Sequence, residues 1–187
     1  MLYIRCIIIG MEKNMKKAVK ILLISVIALF VVYNITWLFY YSKFNKFKDA
    51  VGETDQYGNY LSTTEDGQYA YAVYPPKYLR FNGNLAISPI HDVSKSNVTY
   101  VTLLVWPHLF SGYKVGVMMD IIEDSQFNEE TGEYRVKSHR LEYEVDEELN
   151  PLNDYDEKYW SEFENNKEFI ESYCNLAYDK WGILKQS

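Results

Sequence analysis

Three histidines, His91, His108 and His139, are the side chains best suited to move protons or bind metal, and they lie far apart in the chain. None stands in H-x-x-x-H or H-x-x-E-H spacing, which on a helix would bring two imidazoles to one face. His91 is followed by Asp92, but no Gly-x-Ser-x-Gly segment accompanies the pair to supply a nucleophile. An acidic stretch, DIIEDSQFNEETGE, gathers the side-chain oxygens of Asp120, Glu123, Asp124, Asn128, Glu129, Glu130 and Glu133. It is oxygen-rich, but it misses the D-x-[DN]-x-[DN]-G order and central glycine of a calcium loop. We expect a solvated hairpin tip there. P-loop, Rossmann-glycine and C-x-x-C patterns are missing from the sequence, so no nucleotide, redox or metal cofactor is expected.

The stronger signal is aromatic, with 18 Tyr, 9 Phe and 4 Trp. Many of these fall on strand-like positions and belong in a core. Two clusters are candidates for a partner-binding surface, because tyrosine and tryptophan combine apolar area with a polar handle. The first is Tyr69, Tyr71, Tyr74 and Tyr78 in YAYAVYPPKYLRF; the second is Trp106, His108, Phe110 and Tyr113 in the connection WPHLFSGY.

These candidates are positioned by a chain organised around Ile21 to Tyr41, 21 residues without a charge. As a helix this run is roughly 31 Å long, matching a hydrocarbon core of roughly 30 Å. Arg5, Lys13, Lys16, Lys17 and Lys20 precede it against the single acid Glu12, while Lys43, Lys46 and Lys48 follow. The basic excess places the N-terminus in the cytoplasm and the rest of the chain outside. Trp37, Tyr40 and Tyr41 fit an interfacial belt. The apolar run exceeds a signal-peptide core and has no small-residue cleavage site after it, so it reads as an uncleaved signal-anchor. Within it, Asn34 and Thr36 are expected near the headgroups. Residues 1–20 then form a short cytoplasmic tail, and 1–10 read as an upstream extension before the basic start at Met11.

Residues 42–68 show no strong period and read as a juxtamembrane stalk; residues 69–187 form the folded domain. Alternation over Tyr69–Tyr74 gives a strand stopped by Pro75 and Pro76. Asn82-Gly83 suggests a tight hairpin between Tyr78–Phe81 and Leu85–Ser88. Asn97–Trp106 reads as a central strand buried on both faces, with Tyr113–Ile122 as its antiparallel partner. Glu123–Glu133 follows as a loop, then a strand over Tyr134–Val145 whose apolar parity changes, implying a bulge near Ser138–Arg140. After Pro151, the residues Tyr159, Phe163, Ile170, Cys174, Ala177 and Trp181 recur at helical spacing, with Asp154 and Glu157 to start the helix and Gly182 to end it. The expectation is an α+β domain: a small antiparallel sheet with one long C-terminal helix packed on it.

Charge divides sharply, net +7 over residues 1–48 and net −14 over residues 49–187. An acidic domain argues against nucleic acid as a partner. Cys6 and Cys174 would lie on opposite sides of a membrane and cannot pair; a disulfide-free, Lys-, Asn- and Tyr-rich domain fits a bacterial cell surface. The reading that joins these features is a single-pass protein of the cell membrane with an extracytoplasmic domain that binds a protein or envelope component, or serves a membrane complex. Two rivals are an envelope hydrolase drawing carboxylates from Asp120, Glu123 and Asp124, and an immunity protein that captures a cationic toxin on its negative surface.

Overall fold

The computed structural model describes residues 2–90, 98–128, 133–146, 148–155 and 157–184. The chain divides into two compact units, Met1–Tyr40 and Tyr41–Ser187. The first is helix α1, which runs over Leu2–Ser42. Among the described residues this is the one helix long and apolar enough to cross a membrane. Its aliphatic side chains stand in the open, Leu29 being 70% exposed. Asn34 donates to the Phe30 carbonyl at 2.7 Å and Thr36 to the Val32 carbonyl at 2.9 Å. Both polar groups thus bond back within their own helix.

The second unit is a six-stranded antiparallel meander in sequence order: β1 (Tyr60–Thr63), β2 (Tyr69–Tyr74), β3 (Asn84–Pro89), β4 (Val98–Pro107), β5 (Tyr113–Asn128) and β6 (Glu133–Val145). Register aligns Tyr71, Ile87, Leu103, Val117 and Tyr143 on one face, and Val73, Leu85, Val105, Val115 and Val145 beside them. All ten are buried. Helices α3 (Glu157–Asn165) and α4 (Lys167–Trp181) account for that burial. On α3, Phe163 stacks with Trp160 and meets the Tyr143 ring; on α4, the Tyr173 hydroxyl donates to the Val101 carbonyl at 3.2 Å and Trp181 meets Tyr71 edge-on. Gly182 closes α4 in the left-handed conformation, φ 69°, which a residue without Cβ adopts freely, and its N–H reaches the Tyr178 carbonyl. Ile183 beyond it is buried, as expected.

The α+β architecture is therefore as the sequence implies, with four differences. The stretch 42–68 is no stalk: it carries helix α2 (Asn45–Val51) and strand β1. Phe44, Phe47 and Val51 fall on one helical face and are buried, while β1 is an edge strand that pairs through backbone and needs no apolar alternation. Tyr78–Phe81 is not a strand; β2 and β3 are joined by the loop 75–83. Pro75 and Pro76 lack the donors to extend pairing, and Gly83 serves proximity rather than a turn, since a Cβ there would stand 2.5 Å from the Phe44 ring. The acidic segment expected as a loop is mostly strand, because β5 runs to Asn128 and β6 begins at Glu133; residues 129–132 lie outside the described residues. The register shift falls at Ile122/Asp124, leaving Glu123 as the extra residue, so the bulge sits opposite Ser138 but on β5. Finally, the single long helix is two. Asn166, buried with φ −109° and ψ 4°, breaks it and lets each half follow a different part of the twisted sheet.

Candidate functional site

In an antiparallel meander alternate connections share an end. Those between β2 and β3 and between β4 and β5 therefore lie together, and the chain arrives at that end through residues 43–51. Lys43 fastens the two parts. Its Nζ donates to the carbonyls of His108 at 2.9 Å and Phe110 at 2.7 Å. Phe44 is buried against Pro76 and Gly83, which fixes the other loop to the same segment. Between residues 42–47 and loop 107–113 opens a cavity of about 360 Å³ lined by Lys43, Lys46, Phe47, His108, Phe110 and Tyr113 among others. Partial burial and the neighbouring Lys46 ammonium hold Lys43 below the ordinary lysine range. Lys46 lies 4.5 Å above the Phe47 ring. At the rim Phe110 is 83% exposed.

The candidate residues divide among four places. His108, Phe110 and Tyr113 come together at this cavity. Tyr71 is core, 6% exposed, and half-buried Tyr69 packs edge-on against Tyr173 at 5.4 Å, so neither offers a contact surface. Tyr74 and Trp106 belong to the face of the sheet away from the helices, by their registers with Asn84 and Lys114. There Trp106 covers Gly116, where a Cβ would stand 2.8 Å from the indole. Burial, then Asp55 and Tyr100, push the Tyr74 hydroxyl above the usual tyrosine range. Tyr78, 62% exposed, stands on loop 75–83.

No protein-family model, curated protein or solved structure matches the chain. What the end of the sheet can do must be read from its own groups.

Asp120 accepts two hydrogen bonds from Arg140, at 2.7 and 2.8 Å, and this pairing holds its carboxyl below the usual range. His139, one register position away and therefore on the opposite face, stacks on Tyr159 at 5.7 Å. The side chains of Glu123 and Asp124, and His91 with Asp92, lie outside the described residues, as do most of the oxygens weighed for calcium. Among the described residues no three His, Cys, Asp or Glu gather to hold a metal. The cavity instead combines cationic donors with apolar walls, which suits binding of an anionic or amphipathic group. Sequence reading missed Lys43, Phe44, Lys46 and Phe47; the spacing Phe44-Phe47-Val51 was the available signal.

Proposed function

We propose that the protein is a single-pass membrane protein whose C-terminal domain stands on the extracytoplasmic side of a bacterial cell membrane and works there as an interaction or accessory module. The observation that carries this is α1: a helix long enough to span, with its apolar residues uncovered, leading within two residues into the folded unit. The lysine and arginine excess before Ile21 supports the orientation. A binding role is favoured over hydrolysis by Asp120, whose oxygens are engaged by Arg140 rather than open to a substrate.

Protease treatment of intact cells tests the proposal. The fragment from Lys43 to Ser187 is expected to be released or degraded while a cytoplasmic control survives. Protection until lysis would reverse the orientation and make the domain a cytoplasmic adaptor.

A further inference from the structure

Resting on that membrane reading, we infer that loops 75–83 and 107–113 form a face that docks on the bilayer holding the chain's own helix, with Phe110 and Tyr78 in the headgroup region. Connectivity supplies the first argument. Lys43 follows Tyr41 by two residues, so its backbone is within about 7 Å of the end of the apolar run whatever direction the domain takes. Its ammonium grips the carbonyls of His108 and Phe110, and loop 107–113 therefore cannot leave the membrane surface without breaking both bonds. Phe44, one residue on, is packed under Gly83 and brings loop 75–83 along.

Charge supplies the second. Segments 43–48, 75–83 and 107–113 carry Lys43, Lys46, Lys48, Lys77 and Arg80 and not one acid, although residues 49–187 are net −14. The acids of this end are Asp49, exposed on α2 just past Lys48, and those of flanking segments: Glu53 and Asp55 before β1, and Asp146, Glu148 and Asp154 after β6; the strip keeps its positive balance with Asp49 included. A basic strip on an acidic domain selects an anionic surface and turns the remaining faces away from it.

Exposure supplies the third. Phe110, Tyr78 and Phe81 on these two loops are open to solvent, while Tyr113 at the edge of the second is half-buried. Aromatic rings beside lysine and arginine are the composition found at membrane interfaces. By contrast the turn Thr64–Gln68, at the other end of the sheet, presents Glu65 and Asp66.

The test uses the full chain, with Cys6→Ser, in vesicles of phosphatidylcholine and phosphatidylglycerol containing brominated lipid. Buried Cys174 stays unlabelled, and a fluorophore is attached through Ser111→Cys, Asn82→Cys or Glu65→Cys, one at a time. Labels at 111 and 82 are expected to lose emission to the bromines while the label at 65 does not, and Phe110→Ser is expected to restore emission at 82. Equal emission at all three sites, or quenching at 82 that ignores Phe110→Ser, would overturn the docking. Flotation of the same vesicles after alkaline carbonate is scored separately. Protein that fails to float removes the spanning helix itself, whereas protein that floats with unquenched loops removes only the docking face.

Discussion

The two faces of the sheet are built on opposite plans. On the helix side, large residues fill the space: Leu103, Ile87, Val117 and Tyr143 are buried beneath α3 and α4. On the other side Ala72, Ala86, Thr102 and Gly116 are also buried, away from α3 and α4. They are hidden by being small. Their neighbours do the covering: the Trp106 ring lies over Gly116, Lys114 stands 5.6 Å above that ring, and Lys114 pairs with Glu144 at 2.8 Å. Thr102 and Ser88 share a hydrogen bond across the strands. One face thus depends on volume and the other on its absence, and substitutions should tell the two apart.

The largest effect belongs to the filled face. Tyr143 sits among Tyr155, Trp160 and Phe163, and its hydroxyl donates to the Tyr159 carbonyl at 2.6 Å. Tyr143→Ala should cost about 3–5 kcal/mol, as aromatic-to-alanine changes in cores do, read as a lowered urea midpoint of the detergent-solubilised chain. On the bare face the sign of volume reverses. Gly116→Ala adds a methyl into the indole and should cost about 1–3 kcal/mol. Adding Trp106→Ala should recover part of that loss, a coupling that a double-mutant cycle measures and that independent sites would lack.

The smallest effect is electrostatic. Arg140 holds Asp120 below the ordinary carboxylate range, so this pair contributes stability above about pH 4 and loses it as pH falls through the depressed value. Arg140 is largely exposed. Asp120→Asn should therefore cost no more than about 1 kcal/mol at neutral pH. The gap between variant and parent midpoints should close in acid; a gap that persists there would mean that packing, not charge, is what Asp120 provides.

The filled face was legible in the sequence because apolar residues of period two and of period 3.6 announce strands and helices wherever a face is buried. Pro107 and Gly182 marked their boundaries for equally local reasons. What escaped is nonlocal or small. Helix α2 has only seven residues, so its period amounts to the single spacing Phe44-Phe47-Val51, and β1 lacks apolar alternation because an edge pairs through its backbone. Asn82-Gly83 looked like a turn, but the glycine answers to Phe44, 39 positions earlier. At the candidate site His108, Phe110 and Tyr113 were visible as an aromatic loop, whereas the lysine that pins them lies 65 residues away from His108. Tyr69 and Tyr71 were drawn into the core by Tyr173 and Trp181, partners that composition cannot name.

The unbroken order β1 to β6 also bears on how the chain is made. Each strand needs only its predecessor, so the sheet can be laid down hairpin by hairpin as synthesis proceeds. The lid comes last. Tyr173 must return to Val101 and Trp181 to Tyr71, and until α4 is complete that part of the face is uncovered. A prematurely terminated product would keep that face on display, an invitation to aggregation or to proteolytic clearance.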